Sequence, residues 1–247
     1  MAELYWLKRP ICHRGLHDAA KGIIENSASA VKAALCHGYA VEVDLQCAAG
    51  NKPVVFHDAT LDRLTNETGP VAERDVEALG EITLKNSTDR IVSLTDLLAL
   101  VGGYVPLLLE VKSTWRGDGQ FEAHIAEALA SYPGPVAVMS FDPHSVAAFR
   151  EAAPALPRGL IADRFNDTDY WRDLSPLQRF AMRHLLTSTF ARPHFIAYDV
   201  KALPAFAPLI AKTVFGLPLL TWTVRTQADR ERALRYADAM IFEGIEP

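Results

Sequence analysis

Two imidazoles, three carboxylates and two cations fall at the ends of short apolar runs in this chain. They are His13 and Arg14 in His13-Arg14-Gly15, Glu42 and Asp44 in Glu42-Val43-Asp44, His57 in His57-Asp58, and Glu110 and Lys112 in Glu110-Val111-Lys112. Such a set suits metal-assisted cleavage of a phosphodiester. Carboxylates hold a divalent cation, cationic side chains pair with phosphate oxygens, and two histidines move protons.

Glu42 and Asp44 are two residues apart on one strand pattern, so they share a face. With Glu110 from another strand they offer a hard cation three oxygen ligands, which favours Mg²⁺, Ca²⁺ or Mn²⁺ over zinc. A solvated strand end is the alternative for the first two. Two carboxylates pointing into a barrel without a cation are costly. His13 and His57 are candidates for general acid and base, each beside a charged neighbour. Arg14 presents a planar fork to phosphate oxygens and Lys112 a point charge; Lys112 can equally pair with Glu110. Trp222 and Phe141 can wall a pocket or pack in a barrel core. The other histidines, His17 and His144 among them, read as surface or loop residues. Cys12 adjoins His13, but a buried small hydrophobe on a strand is its ordinary role.

The elements that must position these residues alternate. Apolar runs at Pro10–Cys12, Ala40–Leu45, Pro53–Phe56, Val105–Val111, Val136–Phe141, Gly159–Ala162, Phe195–Val200, Leu217–Val224 and Ala239–Phe242 read as strands buried on both faces. Helical patterns lie between them at Ser27–His37, Glu122–Ser131, Pro143–Ala152, Ser175–Ser188, Pro204–Phe215 and Thr226–Tyr236, with Asn26 or Ser27 capping the first and Gly38 ending it. This order predicts an α/β fold, a slightly irregular TIM (β/α)8 barrel, one domain over 1–247, with catalytic residues at the strands' C-terminal ends. Nine candidates compete for eight barrel places. The stretch Leu45–Lys52 is too short for a helical crossover, so an irregular link is expected there. A small insertion, approximately 59–104, follows the third strand, with helical signals at Val71–Ile82 and Ser93–Val101.

With 247 residues and 49% hydrophobic residues the chain can bury one large core. Its formal charge is −5 and it has no Lys/Arg block, which argues against a nucleic-acid partner. The three cysteines give no disulfide framework. Met1–Arg9 lacks a signal-peptide pattern and no run reaches the length of a membrane span, so the expected compartment is the cytoplasm, without stable membrane insertion.

Read in order, His13-Arg14-Gly15, Glu25-Asn26-Ser27, Glu42-Val43-Asp44, Phe56-His57-Asp58, Leu61-Asp62-Arg63-Leu64-Thr65, Leu109-Glu110-Val111-Lys112, Ser140-Phe141 and Trp222-Thr223-Val224 resemble the glycerophosphodiester phosphodiesterase family over nearly the whole chain. The resemblance implies a TIM barrel and one divalent cation on Glu42, Asp44 and Glu110. It implies His13 and His57 as the acid/base pair, and a small glycerophosphodiester cleaved to glycerol 3-phosphate and an alcohol, by way of a cyclic phosphate. Neither the head group nor the oligomeric state follows from it. The chain departs from the family pattern at Ile24 (commonly Pro), Ser27 (commonly Thr), Arg225 (commonly Asn) and Glu243 (commonly Asp, after Thr). Arg225 at the pocket rim predicts a preference for an anionic alcohol group. Two other readings remain: phospholipase D-like cleavage of lysophospholipids by the same site, and a non-catalytic barrel that binds a phosphodiester. A metal-dependent amidohydrolase typically wants a His-x-His pair on the first strand, which His13-Arg14-Gly15 does not supply.

Overall fold

The computed structural model describes residues 4, 9–113, 115, 117–167 and 169–247. Most of segment 1–9, on which the expectation about a leader rests, lies outside the described residues. Among the described residues the strands are β1 (Ile11–Cys12), β2 (Ala40–Ala48), β3 (Lys52–Val55), β4 (Val92–Ser93), β5 (Leu107–Val111), β6 (Val136–Ser140), β7 (Arg158–Ala162), β8 (Phe195–Asp199), β9 (Leu219–Val224) and β10 (Ala239–Phe242). Eight of them close a parallel barrel in the order β1-β2-β5-β6-β7-β8-β9-β10. The first strand closes it, pairing Ile11 with both Ala40 and Ile241. The TIM-barrel expectation is met.

The ninth candidate, Pro53–Phe56, is the one outside the barrel. The second strand runs on past the barrel rim, and its last residues pair antiparallel with β3, from Leu45 opposite Val55 to Ala48 opposite Lys52. No crossover is needed: residues 49–51 make a tight turn in which Gly50 and Asn51 both adopt positive φ. The short β4 adds to β3, again antiparallel. This excursion has its own core, including Phe56, Leu61, Val71, Leu79, Leu84 and Ile91.

Helix ends follow local capping chemistry. Helix α1 (Ala28–His37) is capped by Ser27 Oγ on Ala30 N–H and ends at Gly38 with φ 66°. In the excursion, α2 (Val76–Gly80) and α3 (Leu94–Val101) start at Asp75 and Ser93. Helices α4 (Gln120–Leu129) and α5 (Pro143–Ala152) follow β5 and β6. The pattern over Ser175–Ser188 divides into α6 (Pro176–Arg183) and α7 (Ser188–Ala191), because Leu185 between them takes φ 55°. Helix α8 (Phe206–Thr213) and α9 (Gln227–Tyr236) complete the ring. Among the described residues no helix is long and apolar enough to cross a membrane.

Inside the barrel, Ile11, Ala40, Leu108, Ala137, Met139, Ile161, Ala197, Leu220 and Ile241 pack together. Side chains alternate across a strand. The next inward positions along these strands are therefore His13, Glu42 and Asp44, Glu110, Phe141, Trp222 and Glu243. Apolar layers fill the barrel floor and the chemically active residues take the layers above it.

Candidate active site

The turn after β1 begins the site. His13 N–H donates to Phe242 O, fixing the chain across the barrel seam. Arg14 and Gly15 then take φ of 57° and 78°. A Cβ at Gly15 would lie 2.9 Å from the backbone of Ala30, so both the dihedral and the close approach require glycine. The turn points Arg14 N–H at Glu42 Oε2, 2.9 Å away, and Gly15 N–H at Glu42 O, 3.1 Å away.

Oxygens of Glu42, Asp44 and Glu110 lie within 4.8 Å of one another, and all three residues are buried. Glu42 Oε1 accepts no hydrogen bond among the described residues, and Asp44 Oδ1 is met by the Lys112 ammonium. Burial first, then Asp44, then Glu110, pushes the Glu42 carboxyl well above its ordinary range. Burial works in the same direction on Asp44, but Lys112 and Arg14 outweigh it and hold that carboxyl below its range. Lys112 Nζ lies 2.9 Å from Asp44 Oδ1 and also hydrogen-bonds Glu110. Three buried carboxylates with one oxygen, Glu42 Oε1, left without a donor are the donor set of a hard divalent cation, so these residues fit one.

Each candidate histidine is backed by a carboxylate at Nδ1. His13 Nδ1 is 2.7 Å from Glu243 Oε2, and His57 Nδ1 is 2.6 Å from Asp58 Oδ1. Since a carboxylate only accepts, Nδ1 carries the proton in both rings and the neutral ring keeps Nε2 as its acceptor. Burial, with Lys112, lowers the His57 imidazole below its usual value. Asp58 is pulled down to about 2: Arg63 and His57 override the effect of its burial. Arg63 binds both Asp58 and Glu25, and Glu25 Oε1 accepts from Arg14 Nη1 at 2.6 Å. Arg14 Nε in turn lies 3.1 Å from Asp44 Oδ2. A chain of opposite charges thus runs from His57 to the carboxylate cluster.

His57 reaches this place unexpectedly. It follows β3, which runs against the barrel strands and returns to the rim, where Phe56 N–H donates to Asp44 O at 3.1 Å. The expectation that His57 sits at the C-terminal end of a barrel strand is thereby corrected: the hairpin folds it back over β2.

A cavity of about 410 Å³ opens on the cluster, lined by His57, Glu110, Lys112, Phe141, Tyr170 and Trp171 among others. Phe141 meets Trp171 at 5.2 Å between ring centroids and Trp222, edge-on, at 5.5 Å. Trp222 packs with the barrel-interior residues beneath it. Arg14 does not line this cavity; it lies behind Asp44 with its fork on Glu25. Cys12 faces the opposite side of β1, and burial pushes its thiol up to about 12, which suits packing and not nucleophilic attack.

Four participants carried no role in the site in the sequence reading. Asn26 holds Asp44 from two sides, Nδ2 to Oδ2 at 2.8 Å and Asp44 N–H to Oδ1 at 3.1 Å, and Ser27 alone caps α1. Glu25 and Arg63 build the charge chain; both lay within motifs, which was the available signal. His17 is half-buried beside the site, where Glu243, Glu25 and His13 act on it, and burial lowers its imidazole. Nothing in its sequence context marks it. Arg225 Nη2 donates to Glu243 Oε2 at 2.8 Å, so these two departures from the family pattern are partners of one another.

Residues 13–245 match the Glycerophosphoryl diester phosphodiesterase family. A glycerophosphodiester phosphodiesterase of Caldanaerobacter subterraneus is 26% identical over 235 residues, covering 91% of this chain and 89% of that one. Another, from Bacillus subtilis, is 25% identical over 228 residues, 82% of this chain and 72% of its own. Among solved structures, an Oleispira antarctica phosphodiesterase in complex with the product sn-glycerol-3-phosphate superposes with a TM-score of 0.78 at 18% identity, covering 96% of this chain and 94% of that one. A glycerophosphodiester phosphodiesterase from Parabacteroides distasonis does so with a TM-score of 0.75 at 18% identity, over 95% and 92% of the two chains.

Proposed function

The chain belongs to the glycerophosphoryl diester phosphodiesterase family and is a phosphoric diester hydrolase of it, and we propose that it cleaves small glycerophosphodiesters to glycerol 3-phosphate and an alcohol with a divalent cation on Glu42, Asp44 and Glu110. The observation that carries this reading is the buried cluster of three carboxylates, with Glu42 Oε1 left without a donor, beside two histidines that are each anchored at Nδ1.

His13 and His57 are the proton carriers. One takes the proton of the glycerol 2-hydroxyl as its oxygen bonds to phosphorus; the other donates a proton to the departing alcohol oxygen as the P–O bond breaks. Water then opens the resulting cyclic phosphate, with the two proton transfers reversed. Lys112 supplies cationic charge to the phosphate oxygens while Arg14, behind Asp44, holds that carboxylate in place, and Phe141 and Trp222 form the apolar wall and floor beside them. Held by Glu42, Asp44 and Glu110, a Mg²⁺, Ca²⁺ or Mn²⁺ ion would supply Lewis-acid charge to the phosphate. We assign residues 1–247 to one catalytic domain acting in the cytoplasm.

The test is incubation with glycerophosphocholine, glycerophosphoethanolamine, glycerophosphoglycerol and a lysophospholipid, each with Mg²⁺, Ca²⁺, Mn²⁺ or EDTA. Metal-dependent release of glycerol 3-phosphate, reduced about 10²–10⁴-fold in His13→Ala and His57→Ala, is the expected result. Full activity in EDTA or in either variant overturns the mechanism. A second reading, cleavage of lysophospholipids, is favoured by the exposed Trp115 and Tyr170 at the cavity mouth. Turnover of the lysolipid alone selects it.

A further inference from the structure

Large apolar side chains stand in solvent on one face beside the barrel mouth. Leu177 and Phe180 on α6 are 76% and 54% exposed, and Phe206 at the start of α8 is 80% exposed. The two α6 residues are three apart and share a helix face, while Met182 of the same helix is buried in the core. Phe180 packs on His184, with ring centroids 4.4 Å apart.

A small cavity of about 260 Å³ separates α6 from the start of α8. Arg164, Arg183 and His184 line it together with Tyr198 and Phe206, and among the described residues no carboxylate does. Arg164 is tied down by its bond to Lys201 O, and Tyr198 Oη donates to Arg183 O at 3.1 Å. The nearby Asp199 is occupied by the backbone N–H of Lys201 at 2.9 Å.

The two stretches that supply α6 and the start of α8 have the same sign, while Asp163, Asp167, Asp169, Asp173 and Asp199 flank them outside the cavity lining. Residues 175–194 carry three arginines and two histidines, and neither that stretch nor residues 200–228 contain a carboxylate, in a chain with 30 acidic residues and a formal charge of −5. Screening confines electrostatic attraction to about 8 Å at physiological salt, so a docked surface feels this local face and not the net charge. Exposed apolar residues around a cationic, acid-free pocket are complementary to one kind of partner: phosphate head groups above an acyl layer.

We propose that α6 and the start of α8 form a docking face for an anionic lipid surface. Lipid phosphate enters the Arg164–Arg183–His184 cavity while Leu177, Phe180 and Phe206 sink into the acyl boundary. The face lies at the same end of the barrel as the active site, since Tyr170 and Trp171, just before α6, line the catalytic cavity. Docking brings that cavity against the lipid. The proposal concerns binding alone and stands whether or not the catalytic reading above does.

The experiment is co-flotation of the full chain with vesicles of mixed phosphatidylglycerol and phosphatidylcholine, with vesicles of phosphatidylcholine alone, and a parallel calorimetric titration with inorganic phosphate. The expected result is salt-sensitive partition to the anionic vesicles. Phe180→Ser/Phe206→Ser and Arg183→Glu should each lower it about tenfold, with turnover of soluble glycerophosphocholine unchanged. Leu177→Ser, a milder change at an exposed site, should lower it in the same direction. Absence of partition, equal partition to both vesicle types, parental partition by all three variants, or binding of inorganic phosphate without vesicle binding overturns the proposal.

Discussion

His13 Nδ1 and Glu243 Oε2 are 2.7 Å apart, bridging the first strand and the last at the barrel seam. The pair fixes the ring and its tautomer, and the two hydrogen bonds that Glu243 accepts, from His13 and from Arg225, hold its carboxyl well below the usual range. Glu243 is then a positioning residue for proton transfer by His13. Glu243→Gln keeps the shape but removes the charge and lets the ring turn. It should lower kcat about tenfold or more with KM little changed, while Glu243→Asp, which restores the charge, recovers part of the loss. Steady-state kinetics on a glycerophosphodiester check this; equal kcat in Gln and parent removes Glu243 from the mechanism.

Arg225 gives a second prediction. Its guanidinium is engaged by Glu243, so the rim does not present an unpaired cation to the alcohol group. The anionic preference expected from the sequence should therefore be weak. Arg225→Asn should change the ratio of kcat/KM for glycerophosphoglycerol over glycerophosphocholine by less than about threefold, since the Arg225–Glu243 bond is solvent-exposed and such pairs contribute little. A larger fall in that ratio restores Arg225 as a specificity residue.

Cation affinity should depend on pH in one direction. Glu42 is held well above its ordinary value by burial, by Asp44 and by Glu110. Folding without a cation therefore favours a proton there. That share of stability is complete below the ordinary glutamate value of about 4.3 and is lost as pH rises through the raised value. A cation needs the ionised carboxylate, so affinity grows across the same window and binding releases protons. The rise in Tm on adding Mg²⁺ or Mn²⁺ to EDTA-treated protein should be larger at about pH 8 than at about pH 5.5, and Glu42→Gln should remove the difference. A Tm increment independent of pH refutes the coupling.

Much of this site was legible because its residues end apolar runs, and alternation along a strand is a strict geometric rule. Glu42 with Asp44, His13 after Cys12, and Glu110 near Lys112 follow from that alone. The direction of β3 did not: an apolar run such as Pro53–Phe56 reads the same whether it pairs parallel or antiparallel, and only the short Leu45–Lys52 link hinted at a hairpin. The break between α6 and α7 depends on one left-handed residue, Leu185, that no turn signal announces. Partners far apart in the chain, such as His13 and Glu243 or Arg63 and Glu25, become visible only when the barrel closes.

Asn26 shows how one residue can serve backbone and site at once. It takes φ 59°, a conformation that asparagine tolerates better than alanine, and that bend aims its amide at Asp44. Asn26→Ala removes both hydrogen bonds to a buried carboxylate and its backbone, and places a Cβ-bearing residue without compensating polarity in the left-handed region. The expected loss is about 1–3 kcal/mol for the unpaired polar groups and about 1–2 kcal/mol for the backbone. Asn26→Gly returns the backbone part and none of the side-chain part. Denaturant titration should thus rank parent above Gly above Ala in stability. Cation titration should instead group Gly with Ala, both about 10- to 100-fold weaker than the parent, because Asp44 loses its orientation in each. Parental cation affinity in Asn26→Gly would show that Lys112 and Arg14 suffice to hold Asp44.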